Sequence, residues 1–418
     1  MQENTMNFKK TLPVCIWILA ALFYFYDFFL QVSPSVMVHE LMRDFGVNAT
    51  AIGNLVAIYF WVYALMQIPV GVIVDRFGAK KALLTATFTC ALGCLLFAEA
   101  SQFWQIQTGR FFIGLGSAFA AVCCMKIATI WFKPKRFALL TGIMVTIGML
   151  GAMSGEAPLA LLIGKLHWQK SIMLFAGIGA VLFVLIFIII KDKAAPTKLN
   201  VSRDALLNGL KNVVLHKQNW FIACYGGLMF APTLIFSVWG VPYYMALYGF
   251  TKSVAAGIVS VLFIGWMVGS PLSGWLSDYI GKRKPIMLVS SVGTFFAITA
   301  AIFIPNLDKT LLIILMFAFG LFSSGFLMSF ATIKENNAHA HSGAALGFMN
   351  TINSLGGAAI QPIVGVILDC IWQGEFNAGI RFYSVGSYHI ALAIIPVLVL
   401  ISLLFLPSVK ETFCHARA

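Results

Sequence analysis

Twelve apolar stretches, most of them twenty residues or longer and nearly free of charge, run through this chain. They fall at 12–34, 48–73, 82–101, 104–132, 138–164, 170–190, 218–246, 254–277, 286–304, 310–333, 343–370 and 385–406. A run of about 20 apolar residues is long enough to cross the hydrocarbon of a bilayer. An open strand there would leave backbone groups unpaired, so each span is expected to be helical. Of the 418 residues, 60% are hydrophobic and only 10% are charged. A soluble domain carries about 25% charge, so lipid has to be part of this chain's solvent.

The net charge of +13 is topological. With the N-terminus placed inside, the inner loops hold 20 Lys and Arg residues and the outer loops hold 6, with Arg110 and Lys126 inside spans. That bias puts both termini in the cytoplasm of an inner-membrane protein. No nucleic-acid motif accompanies the charge. The first span carries Asp27 and lacks a small-residue cleavage pattern, so it reads as a retained helix and not a signal peptide. The eight cysteines lie mostly in apolar segments without metal-ligand spacing and read as small hydrophobes. Glu335, His339 and His341 share a loop read as solvated. Their spacing does not match a zinc site, and no metal or cofactor is expected.

The chain repeats itself. GVIVDRFGAKK (71–81) returns as GWLSDYIGKRK (274–284). Gly71, Asp75, Gly78 and Lys81 recur as Gly274, Asp278, Gly281 and Lys284, all at an offset of 203, with Arg76 and Arg283 beside them. Gly142, Met144, Thr146, Ile147, Leu150 and Gly151 recur from Gly347 to Gly356 at an offset of 205. Two matches at nearly one offset divide the chain into residues 1–190 and 218–418, joined by a polar, basic linker at 191–217. The expected architecture is all-α, with twelve membrane helices in two pseudo-symmetric bundles of six. Secondary transporters are commonly built this way, with the site between the repeats.

The repeated G-x-x-x-D-x-x-G-x-K/R-K/R pattern resembles the loop 2–3 signature of the major facilitator superfamily, here found again in loop 8–9. Gly71 and Gly274 are expected to allow close approach of a neighbouring helix. Gly78 and Gly281 suit a turn needing positive φ. Asp75 and Asp278 can accept bonds from a facing helix N-terminus or pair with a basic residue. The resemblance implies a cytoplasmic gate made of Gly71, Asp75, Arg76, Gly78, Lys81, Gly274, Asp278, Gly281 and Arg283, which latches and releases one face. The plain alternative is a charged turn that fixes topology. Arg110, Gly114 and Gly116 form R-x-x-x-G-x-G, similar to a second signature found mainly in proton-driven members. The glycine-rich span 5 signature of exporters is incomplete, because Glu156-Ala-Pro replaces its expected ending.

Charges inside the hydrocarbon cost about 2.5–3.5 kcal/mol each on insertion scales, so they are functional candidates. Asp27, Arg110 and Glu156 each lie about 9–12 Å from the outer end of their spans by helical rise. Asp27 can pair with Arg110. An ionised Asp27 would neutralise the arginine, and a protonated one would free it for an anionic group. Packing alone is the competing account of such a pair. Glu156 precedes Pro158 and can cap a local break instead. Lys126 can snorkel to the inner surface. Tyr24, Asp27 and Gln31 share one helix face. Asn350, Asn353 and Gln361 give span 11 neutral hydrogen-bonding groups, with Gln361 standing where the first half has Glu156. Tyr243 serves either substrate contact or the interfacial aromatic belt.

These residues point to a proton-coupled symporter for a small polar solute: an amino acid, nucleoside, dipeptide or organic acid. Its partners would be that solute, protons and the lipid bilayer, and a monomer is expected. YFYDFFLQ, MQIPVG and RFFIGLGSAF are similar to segments of amino-acid and nucleoside carriers from bacteria that live inside host cells, and more loosely of dipeptide carriers. The rival within transport is proton-driven export of a siderophore or drug. A rival of another class is a ligand sensor that has lost transport. No phosphate-binding loop is present, and no nucleophile, metal or acid pair suggests an enzyme.

Overall fold

A computed structural model describes residues 2–190, 203–338, 341–377 and 379–415. The N-terminal part contains α1 (Gln2–Val32), α2 (Val38–Phe45), α3 (Ala49–Phe77), α4 (Ala79–Ala98), α5 (Phe103–Ser117), α6 (Ala120–Trp131), α7 (Phe137–Ser154) and α8 (Ala157–Ile189). The C-terminal part contains α9 (Arg203–Leu215), α10 (Lys217–Tyr248), α11 (Lys252–Ile280), α12 (Lys284–Phe303), α13 (Lys309–Ser323), α14 (Met328–Glu335), α15 (Ser342–Cys370), α16 (Val385–Leu392) and α17 (Ile394–Phe405). A two-residue hairpin, β1 (Phe376–Asn377) with β2 (Ile380–Arg381), lies between α15 and α16.

Among the described residues, 11 helical runs are long and apolar enough to cross a membrane. One of them, Leu139–Ile189, is 51 residues long. At a rise of about 1.5 Å per residue, that is far more than one bilayer needs. Its packing on α1 explains the length. Gly151 abuts Phe25 and Gly155 abuts Phe29, so α7 runs parallel to α1. Beyond His167, whose φ of 63° interrupts the helix, Phe175 stacks on Phe29 and Gly179 abuts Tyr26. There the register is antiparallel, so the chain turns back at His167.

Breaks in other spans recur between the two parts. The fourth apolar stretch divides at Ser117–Ala120, and the tenth divides at a 3₁₀ turn, Ser324–Leu327. Polar caps set several starts: Asn48 Oδ1 accepts from Ala51 N at 3.0 Å, and Asp308 receives Thr310 N and Leu311 N. The contact of Gly151 with Phe25 also has a counterpart, Gly356 against Gly227.

The second part of the expected linker, 191–217, holds a helix. Residues 191–202 lie outside the described residues, but Arg203–Leu215 is helical. Its Val213 is buried with Ile222, Phe348, Met349 and Val409. Apolar burial therefore anchors this part of the linker.

Lys80, Lys81, Lys133, Lys135, Arg136, Lys217, Lys282, Arg283, Lys284 and Lys334 gather at one end of the helices, the basic end. The starts of α3 and α11 and the hairpin lie at the opposite end.

Candidate functional site

Asp27 and Arg110 are both buried in the N-terminal part. The sequence suggested a direct ion pair, and the structure corrects that. Asp27 accepts a hydrogen bond from Tyr59 Oη at 2.7 Å. Arg110 donates Nη1 to Leu30 O at 2.6 Å and Nη2 to Gln31 O at 2.7 Å, and its guanidinium lies 4.7 Å from the Tyr59 ring centroid. The last carbonyls of a helix have no partner within it. Arg110 supplies that partner at the end of α1, and Tyr59 stands between it and Asp27. The R-x-x-x-G-x-G spacing makes this possible. A side chain at Gly114 would stand 2.8 Å from Tyr59 O, and one at Gly116 would stand 2.4 Å from Ala86 O. These glycines let α5 lie against α3 and α4.

Glu156 is fully buried at the break between α7 and α8. Its Oε2 accepts from Ser35 Oγ at 3.0 Å, and Oε1 has no partner. It therefore reaches to the turn after α1 and does not bond its own helix start. Gln361 has the matching place in the C-terminal part: its Oε1 accepts from Trp239 at 3.0 Å and its Nε2 donates to Leu234 O at 2.7 Å. Both amide ends are thereby committed to α10. Tyr24 lies edge-on to Phe28 and against Gly148. Gln31 contributes its carbonyl to Arg110. Tyr243 is held by its own part, bonding Ile302 O at 2.5 Å and His389 Nε2 at 3.1 Å, so the structure does not bring it to the Asp27 layer.

A polar seam joins the two parts along α3 and α15. Tyr59 stacks on Tyr63 at 5.8 Å, Gln67 donates to Tyr63 O at 3.4 Å, and Asn350 donates to Gln67 Oε1 at 2.8 Å. Asn353, one turn on, is buried and unpartnered at both amide atoms. The sequence reading named the two asparagines and missed Tyr59, Tyr63 and Gln67. Their spacing of four residues on an apolar span was the available signal.

The seam ends in a clasp at the opposite end that the sequence reading did not foresee. Gly53 and Gly365 let the helices close: a side chain at Gly53 would stand 2.5 Å from Gln361 O, and one at Gly365 would stand 2.4 Å from Ala49 O. Asp369 of α15 then reaches the first turn of α3, beside its Asn48 cap. It accepts from Thr50 N at 2.8 Å, Thr50 Oγ1 at 2.5 Å and Tyr383 Oη at 2.6 Å. Lys252 of α11 pairs with Glu40 of α2 at the same end.

The repeated motifs at the basic end are not joined to each other. Asp75 pairs with Lys126 at 2.6 Å, so the lysine reaches to the basic end as a snorkelling residue would and finds an ion-pair partner there. Asp278 pairs with Arg283 at 2.7 Å, and Arg283 also holds Glu335 at 2.6 Å. Glu335 is thus a bound carboxylate and not a solvated one. His339 lies outside the described residues. Gly78 and Gly281 have the expected positive φ, 88° and 70°. Gly71 and Gly274 were expected against a neighbouring helix, but nothing lies within 4 Å of a side chain built on either. Gly142 and Gly347 face open space in the same way. Arg76 and Lys81 are exposed. Among the described residues, no group of three or more His, Cys, Asp or Glu side chains is placed to hold a metal ion.

Relatives fit this geometry. The chain is 26% identical over 367 residues to the lysosomal dipeptide transporter MFSD1 of Mus musculus, covering 82% of this chain and 78% of that one. In fold it resembles a bacterial homologue of the human lysosomal transporter Spinster in an inward-facing, unoccupied conformation, with a TM-score of 0.80, 14% identity, and coverage of 95% and 96% of the two chains. It also resembles the nucleoside transporter NupG, with a TM-score of 0.75, 14% identity, and coverage of 94% and 98%. The sequence model of the Major Facilitator Superfamily matches residues 16–361, which take in both loop motifs, the Arg110 signature and the α3–α15 seam, and the chain belongs to that superfamily.

Proposed function

We propose that this protein is a secondary active transporter that takes up a small polar solute together with protons by alternating access. Twelve membrane helices would form two pseudo-symmetric six-helix bundles, residues 1–190 and 218–418, that rock about the α3–α15 seam. The basic end faces the cytoplasm by the positive-inside bias, with both termini on the cytoplasmic side of the inner membrane and the chain acting as a monomer. The clasp at Asp369 and the open space beside Gly71, Gly274, Gly142 and Gly347 support an inward-facing state with the loop gate released. Names of relatives bring dipeptides and nucleosides forward as substrate classes.

The observation that carries proton coupling is Asp27: a buried carboxyl, held by Tyr59, with no ion-pair partner among the described residues. Burying an unpaired charge is costly, so such a carboxyl changes protonation when rocking changes its surroundings. Arg110 fixes the helix end beside it, and Glu156 is a second buried carboxyl of the same bundle. Purified protein in proteoliposomes tests this over amino acids, nucleosides, dipeptides and organic acids under an imposed pH gradient. Asp27→Asn is expected to abolish gradient-driven accumulation while sparing exchange. Unchanged accumulation rejects Asp27 as the proton carrier, and accumulation that requires the opposite, outward-directed proton gradient would indicate antiport.

A further inference from the structure

Asn353 on α15 is 1% exposed, and neither its amide nitrogen nor its amide oxygen has a partner. Asn336, at the C-terminal end of α14, is also buried and unpartnered, but the other amides along α10 and α15 are bonded. Gln361 is bonded at both ends, Asn350 donates to Gln67, and Asn219 and Asn337 bond each other at 2.8 and 3.0 Å. A buried amide left unbonded carries a desolvation penalty that an isosteric leucine would not. The helix facing it offers no side chain. α10 presents Gly227, where a side chain would stand 3.8 Å from Asn353 Oδ1. The amide therefore sits at the junction of α10 and α15, one turn from the hydrogen bond that Asn350 makes to Gln67 of α3.

We infer that Asn353, with the Asn350–Gln67 pair beside it, is the subsite that recognises a neutral donor–acceptor edge of the substrate. This rests on the transport reading and names the group that the cargo presents. A carboxamide offers an acceptor and donors in one plane. Its complement is a group that sets an N–H next to a C=O: the backbone of one extended peptide residue, or the edge of a nucleobase. A dicarboxylate offers only acceptors and would leave Asn353 Oδ1 unsatisfied, which selects against it. Arg110 is committed to Leu30 and Gln31, so charge recognition by that guanidinium is not what distinguishes substrates in this state.

The test is counterflow in proteoliposomes with the full chain. One arm compares glycylalanine with its ester analogue, in which oxygen replaces the peptide N–H. A second compares uridine with 3-methyluridine, and a third uses succinate. In one of the first two arms the intact edge is expected to compete at least about tenfold better than its donor-less analogue, the effect of one buried neutral hydrogen bond. The arm that responds identifies peptide or nucleobase as the source. Asn353→Leu is expected to bring that ratio close to one, and Asn353→Thr serves in its place if the leucine variant does not fold. Equal competition within both pairs, or a ratio that survives the substitution, overturns the assignment. Succinate exchange insensitive to Asn353→Leu overturns it too and leaves the transport reading standing. Discriminating binding without any exchange, lost in the variant, would uphold the subsite and remove the transport reading.

Discussion

Replacing Asp369 with alanine should release the end of the molecule that is closed here. Asn48 is the N-cap of α3, and the Asp369 carboxylate takes a further first-turn donor, accepting from Thr50 N at 2.8 Å and Thr50 Oγ1 at 2.5 Å across the seam. A net hydrogen bond contributes about 0.5–1.5 kcal/mol, and a carboxylate at a helix N-terminus gains about 0.3–1 kcal/mol from the dipole. The bonds to Tyr383 and Arg381 come from the same part of the chain, so they persist when the parts separate and drop out of the difference. Thr50 and Asp369 also regain water in the opened state. The net loss to the closed state is then about 1–2 kcal/mol, which moves the open-to-closed ratio by about five- to thirtyfold. Spin labels on Gln102 and Glu375, both exposed at this end, report the separation, with the exposed Cys15 and Cys370 replaced beforehand. The long-distance population should grow in Asp369→Ala. It should grow less in Thr50→Val, which removes only the hydroxyl donor. Identical distance distributions for wild type and Asp369→Ala would refute the clasp as a determinant of the closed state.

Gly71→Leu has open space in this conformation, so thermal unfolding should be unchanged. If the loop gate closes by packing a helix on that surface, counterflow should fall at least tenfold, and unimpaired counterflow would favour the topological account of the motif. Arg110→Met leaves the Gln31 carbonyl without its donor and the Leu30 carbonyl with Ser33 Oγ alone, costs about 1–3 kcal/mol for the unsatisfied group, and should lower the unfolding temperature in detergent. Beyond the last helix, partial burial pushes the Glu411 carboxyl up, but the backbone N–H groups of Arg283, Lys284, Thr412 and Phe413 outweigh it and hold it below the usual carboxylate value. The docked C-terminal segment should therefore gain from this group at pH above the ordinary value of about 4.3 and lose that gain as pH falls through the lowered one. Limited proteolysis of the C-terminus against pH reads this, and Glu411→Gln should flatten the profile.

The helices were legible because lipid leaves the backbone no choice, and because hydropathy accumulates over twenty residues. The turn glycines were legible for a similar local reason: Gly78 and Gly281 need only their own φ. Asp27 and Arg110 stood out as charges among apolar residues. Their relation did not, because Tyr59 supplies the bond that the sequence assigned to Arg110, and a tyrosine in an apolar span carries no mark of its partner. Glu335 was misread for the same reason, since it finds its ion-pair partner across a helix boundary.

By itself the sequence determined a repeated all-helical membrane chain, its family signatures and the ionisable residues it buries, all of which follow from local composition and spacing. Only the tertiary structure decided which end is closed. That depends on small differences between contacts across the seam, such as Asp369 on the α3 N-terminus and Asn350 on Gln67, between residues hundreds of positions apart. Either arrangement of the two parts satisfies the same hydropathy pattern, so no reading of one strand of residues could rank them.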